Sequence, residues 1–233
     1  MLTSNKLHNT KKSLSELISE SIIDKITNQE LLPGEKIPNE FELAEMLDVG
    51  RGTIREAIKL LVSRNILIIE HGKGTFVSEQ PGQVEDPFGF RFIDDKLALA
   101  KDLWELRALI EPEFASLTAI RATLDQKNRI NSFARKVKYA IIKNKAFLFE
   151  DIQFHCEIAK SSGNQAIRHI TPLLKESISL NYELDVHIMS NDDIIITHQE
   201  IVDAINQSDP QKAKIAMKKH MDRSIENITN SYK

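Results

Sequence analysis

The chain has 233 residues, long enough for two modest domains with cores of their own. With 41% hydrophobic and 28% charged residues and a net charge of −3, it has an ordinary soluble composition, and no apolar run approaches the ~20 residues of a membrane span. Met1 to Lys12 lacks a signal-peptide apolar core, and the single cysteine, Cys156, excludes a disulfide framework, so a reducing cytoplasm is the expected setting.

Residues 1–12 are polar and expected to be mobile. From Ser13, the residues Leu14, Leu17, Ile18, Ile22 and Ile26 make one helical face that ends near Asn28. A turn at Pro33-Gly34 follows. Pro38 or Asn39 then opens a short helical run through Phe41, Leu43, Ala44, Met46 and Leu47. Asp48-Val49-Gly50 breaks that pattern briefly, and Ile54, Ala57, Ile58, Leu61 and Val62 form the face of a second run. Two short helices across a tight glycine-containing turn predict a helix-turn-helix. Ile66 to Ile69 and Thr75 to Val77 are β-type runs around a His71-Gly72-Lys73-Gly74 turn, which predicts a hairpin wing and completes a domain over 13–78.

Pro81, Gly82, Pro87 and Gly89 mark 79–95 as a linker, its Phe88, Phe90 and Phe92 expected to anchor it onto a domain. From 96 to 233 the pattern predicts an all-helical domain with helices at 97–121, 125–143, 146–161, 165–188, 192–207 and 210–230. Asp125, Asp192 and Asp209-Pro210 read as start signals and Gly163 as a stop. Pro112 is expected to kink or break the first of these helices. The predicted fold class is mainly α: a winged helix-turn-helix followed by a helical bundle.

In that bundle Asp151 and His155, four residues apart, share a helix face, and His198 and His220 sit on later helices. Converging, they would suit a divalent metal, with zinc, nickel and manganese all compatible with nitrogen and oxygen ligands. Taken alone, such a pair also arises by chance, and single histidines serve as core or surface residues. Arg107 reads either as an ion-pair partner of Glu111 or as a bidentate partner for an anion. Arg51 and Arg55 by themselves read as solvated charges.

The N-terminal stretch resembles the winged-helix domain of GntR-type regulators, whose pattern it supplies as Pro33-Gly34, Pro38, Glu40, Leu43-Ala44, Leu47, Val49, Arg51, Thr53, Ile54-Arg55-Glu56-Ala57 and Gly72 to Val77. The resemblance implies DNA contacts from Arg51, Thr53 and Arg55, and a wing tip of His71, Gly72 and Lys73 in the minor groove. Phe41 stands where many relatives carry a contact-making arginine, and Gly50 where they carry a serine or threonine cap. Fewer phosphate contacts and a weaker helix start are expected. Because the basic residues Arg51, Arg55, Lys59, Arg64 and Lys73 form only a small patch, affinity is expected to depend on presenting it twice in a homodimer.

The helical half resembles the FCD effector domain of the FadR-like branch. The resemblance runs through Leu103 to Pro112, Asp151 to His155, Ser162-Gly163-Asn164, Thr197-His198, and Ala216 to Met221. It implies Asp151, His155, His198 and His220 as metal ligands and Arg107 as the partner of a small carboxylic acid. It also allows Asn164 an effector contact, although a helix cap explains Ser162-Gly163-Asn164 equally well. The expected function is ligand-responsive transcription regulation, more often repression, at a palindromic operator. A pure metal sensor and a metal-dependent hydrolase are the alternatives.

Overall fold

The computed structural model describes residues 12–82, 84, 86–184 and 189–230, with the backbone alone for 224–230. The segment expected to be mobile lies outside these residues, apart from Lys12. The chain divides into two compact units, Met1–Pro87 and Phe88–Lys233.

The first unit holds three helices, α1 (Leu14–Thr27), α2 (Glu40–Met46) and α3 (Arg51–Ser63), followed by strands β1 (Leu67–Glu70) and β2 (Gly74–Val77). Capping boxes start α1 (Ser13 with Glu16) and α2 (Asn39 with Glu42), satisfying backbone donors that the first helical turn leaves unpaired. Gly50 starts α3 without any side-chain bond, as its missing hydroxyl predicts. Between α2 and α3 the chain reverses through Asp48 in the left-handed region, which a short polar side chain tolerates. The helical faces meet in one core of Ile18, Ile22, Leu43, Ala44, Ile54, Ala57, Ile58 and Leu61, closed by Ile66, Leu67 and Val77. Full burial of a side chain such as Ile54 or Leu61 contributes about 1.5–3 kcal/mol. The strands pair antiparallel from Leu67 with Val77 to Glu70 with Gly74. Gly72, at φ 76, supplies the positive φ in the tight turn closed by Lys73 N–H on the Glu70 carbonyl. One feature was not expected. Gly34 to Ile37 runs along the outer side of β2, bonding Val77 and Thr75 and bridging Lys36 to Phe76, so the wing has a third extended segment.

The second unit opens with a 3-10 turn at Phe90–Phe92 inside the expected linker, then α4 (Lys96–Arg121), α5 (Leu124–Ile142), α6 (Leu148–Ser161), α7 (Gln165–His169), α8 (Thr171–Glu183), α9 (Asn191–Asn206) and α10 (Pro210–Asn230). Helix α4 packs along α10 and also touches α6, α8 and α9. Leu103, Trp104, Phe114, Phe154, Ile158, Leu174, Ile201, Ile205, Met217 and Met221 build the core. Two cross-ties join distant elements: Trp104 Nε1 donates to the Met221 carbonyl (3.3 Å) and Thr118 Oγ1 to the Ile158 carbonyl (2.6 Å).

Three sequence expectations need correction. Helix α4 continues through the buried Pro112, so the break, one of the two outcomes expected there, does not occur. The single helix expected at 165–188 is two, interrupted at Ile170, where Pro172, lacking an N–H to continue the ladder of α7, sits in the first turn of α8; residues 185–188 are outside the described set. The caps of α5 and α9 are Thr123 and Ser190, leaving Asp125 and Asp192 in the first turns, where they face the positive helix end. Among the described residues no helix is long and apolar enough to cross a membrane.

Candidate functional site

The first unit presents its polar residues around the start of α3 and the hairpin tip. Arg51 is the first residue of α3, with Thr53 and Arg55 following within a turn. Arg51 and Arg55 are exposed, as are His71, Gly72 and Lys73 at the tip. Arg55 donates to the Glu40 carboxylate through Nε (3.1 Å) and Nη2 (3.0 Å), a bond that raises its already high pKa. Lys73 is likewise raised by a 2.9 Å bond to Glu70. Arg51 instead lies over the ring of Phe41, its guanidinium carbon 4.9 Å from the ring centre. Hence Glu40 and Phe41, adjacent at the start of α2, each hold one arginine of α3.

In the second unit the ligand nitrogens of His155 on α6, His198 on α9 and His220 on α10 lie within 4.8 Å of one another, all three side chains being buried. Asp151, one turn before His155, brings Oδ1 to 3.5 Å from His198 Nε2 and 4.0 Å from His155 Nε2. Asp151 stands close to two of the three histidines.

Hydrogen bonding sets the tautomers. Glu111 takes His155 Nδ1 at 2.5 Å on one oxygen and Arg107 Nε at 2.5 Å on the other. Burial alone would raise the Glu111 pKa, but the Arg107 charge and then His155 outweigh it and bring it down to about 2. An ionised carboxylate can only accept, so Nδ1 of His155 carries a proton toward Glu111 and Nε2 faces the other histidines. The Thr197 hydroxyl donates to the Asp193 carbonyl (2.6 Å), so toward His220 Nδ1, 2.8 Å away, it accepts. With Nδ1 donating, the lone pair of a neutral His220 ring lies on Nε2. His198 stacks on Phe154, with centroids 4.1 Å apart, and neither of its buried nitrogens has a hydrogen-bond partner. Burial first, then nearby positive charge, holds His198 and His220 well below the usual histidine pKa. Burial also raises Asp151, which its histidine neighbour counteracts. His155 and His220, each oriented through Nδ1, and His198, with neither nitrogen hydrogen-bonded, present the kind of nitrogen donors a divalent cation takes.

Arg107 is only 1% exposed and lies over the Trp104 ring (4.4 Å). Its Nε is fixed by Glu111, whereas Nη1 and Nη2 are buried without partners. The two readings of Arg107 are therefore compatible: the ion pair occupies one edge and leaves two amino groups for another anion. Asn164 requires correction. It is exposed, and its side-chain oxygen accepts from Ala166 and Ile167 N–H, capping the start of α7 rather than joining the buried cluster. Cys156 is buried with its thiol pushed up to about 11 by desolvation, as a small apolar side chain would be.

Four residues escaped the sequence reading of this chemistry: Glu111 as the link between Arg107 and His155, Thr197 behind His220, Glu40 on Arg55, and Phe41 under Arg51. Only Glu111, four residues after Arg107, carried a local signal.

The FCD domain family matches residues 102–223, and the family of bacterial regulatory proteins called gntR matches residues 14–77. Among solved structures, Streptococcus agalactiae GntR is 38% identical at a TM-score of 0.82, over 91% of this chain and 99% of that one. The HTH-type transcriptional repressor NanR of Cronobacter sakazakii is 28% identical over 224 residues, 91% of this chain and 84% of that protein. NanR of Salmonella arizonae is also 28% identical, over 227 residues. The matched family and these repressors are regulators rather than enzymes, which removes the hydrolase alternative.

Proposed function

Because the chain belongs to the GntR family of bacterial transcription regulators and carries an FCD domain, we propose that it binds a palindromic operator as a homodimer under control of a small carboxylic acid. The homodimer presents its small basic patch to two half-sites, with Arg51, Thr53 and Arg55 in the major groove and His71, Gly72 and Lys73 at the minor groove. Similarity to the NanR repressors favours repression as the sign of control. Operator binding places the protein in the cytoplasm, with the DNA.

The observation that carries the effector reading is Arg107. A buried guanidinium with two unpartnered amino groups is costly unless something completes it, and a carboxylate matches that pair of donors. Glu111 joins Arg107 directly to His155, so the anion site and the histidine centre are one carboxylate apart. His155, His198 and His220, with Asp151 beside them, would hold the metal, zinc by preference and nickel or manganese by the same donors. When bound, the metal supplies positive charge and an open position for an acid oxygen. Glu111 and Thr197 hold two imidazoles with Nε2 inward, and Arg107 orients the acid. Control then follows from population shift: an acid that binds one arrangement of the dimer more tightly moves the equilibrium toward it and changes operator affinity.

Thermal melting with a panel of small carboxylic acids, on metal-loaded and chelator-stripped protein, tests this. An acid that binds the native state raises stability by RT ln(1 + [L]/Kd). The expected result is an acid that shifts the melt only with metal present. A shift by metal alone, with no acid active, would replace the acid sensor by a metal sensor.

A further inference from the structure

Helix α2 turns Leu43 and Ala44 into the core, yet Phe41 on the same helix remains 55% exposed. Arg51 packs on it: the guanidinium lies over the ring at 4.9 Å, and among the described residues no carboxylate pairs with Arg51. Arg55, one turn along, differs. Its Nε–Nη2 edge is already occupied by Glu40. Of the two arginines, Arg51 is thus the one with an open bidentate edge.

A guanidinium that pairs with guanine O6 and N7 lies close to the plane of that base. A ring with the guanidinium carbon 4.9 Å from its centre is then offset from that base by more than one but less than two of the ~3.4 Å steps between successive bases, within reach of the neighbouring base pair. Phe41 would meet the major-groove edge of the neighbouring base pair. Among the four unmodified bases only thymine offers a methyl group there. An aromatic face gains by burying that methyl and gains nothing comparable from the polar edges of the other bases.

We propose that Phe41 is a specificity-determining residue: it positions Arg51 on a guanine and reads the C5 methyl of the thymine flanking it. The inference needs DNA binding by this helix-turn-helix, but neither the acid nor the metal.

The test is in vitro selection of random duplexes by the full chain, followed by binding to the selected duplex with the flanking thymine replaced by deoxyuridine. Wild type should enrich a guanine with a flanking thymine and lose about fourfold in affinity for each methyl removed. Phe41→Ala, an exposed change that spares the core, should bind the thymine and deoxyuridine duplexes equally. Arg51→Ala should lose preference for the guanine. A guanine preference that depends on Arg51 but has no thymine beside it would overturn the role of Phe41 and leave Arg51 standing. A deoxyuridine penalty that persists in Phe41→Ala would overturn it as well. Loss of guanine preference in Arg55→Ala but not in Arg51→Ala would sink the pairing on which it rests.

Discussion

Glu111 illustrates how much one buried side chain can carry. Both its oxygens are engaged, one by Arg107 and one by His155, and it is ionised where burial alone would keep it neutral. Glu111→Gln preserves the volume but can no longer accept on both sides. Metal affinity, read by chelator competition, is expected to fall about 10–100-fold as His155 loses its orienting partner. An unchanged affinity would reduce Glu111 to a counter-ion of Arg107. Arg107→Lys separates the second role. Lysine keeps the charge but not the planar fork, so the acid-induced melting shift should shrink while metal content stays at the wild-type value. A full acid response in that variant would place the anion elsewhere.

Helix starts decide how firmly the elements of the first unit are held. Asn39 accepts from Phe41 and Glu42 N–H while its own backbone N–H donates to Glu42, so Asn39→Ala removes the side-chain half of the capping box, keeps the backbone half, and should cost about 1 kcal/mol. Gly50 caps α3 without a side chain at φ −65, and a Cβ there meets nothing nearer than Thr53 Oγ1 at 4.0 Å. Gly50→Ser should therefore stabilise, but by only a few tenths of a kcal/mol, since glycine is itself a tolerable cap. Denaturant titration of the two variants checks both the sign and the order. Equal effects would mean that the caps are not what limits these helices. The same caps place the proposed DNA face, because Glu40 and Phe41 leave the Asn39 cap on the side where Arg55 and Arg51 begin α3.

For the helical unit, the protons on its buried groups predict the response to acid. His198 and His220 are depressed, so below the ordinary histidine pKa of about 6.5 the unfolded chain takes up protons that the folded chain refuses. Stability falls as pH falls through that window. Glu111, held at about 2, adds a second loss as unfolded carboxylates protonate from about 4.5 downward, while the raised Asp151 works the other way. In chelator the melting temperature of this unit should decline between pH 8 and pH 5. A flat profile would mean that the imidazoles titrate normally. Metal at about 100 times its Kd should add about 2.7 kcal/mol at neutral pH, and that gain should shrink in acid as protons compete for Nε2.

The two-domain order, the helix-turn-helix with its hairpin, and the all-helical second half were legible because they rest on local rules. These are a repeat near 3.6 for helices, alternation for strands, and glycine where φ must be positive, as at Gly72. Asp151 and His155 were legible as a pair for the same reason, four residues apart on one face. His198 and His220 were legible as candidates on later helices, and the resemblance rather than any periodicity singled them out as ligands, since no repeat relates positions on three different helices. The remainder was settled by packing. Arg55 meets Glu40 and Arg51 meets Phe41 because α2 crosses the start of α3, and Thr197 backs His220 because α9 lies against α10. Asn164 reads as an effector contact or a helix cap alike, and its bonds to Ala166 and Ile167 N–H make it the N-cap of α7. Periodicity says which face of a helix is apolar; which face it meets depends on the volumes of every side chain between the two, and that sum is made only when the chain has folded.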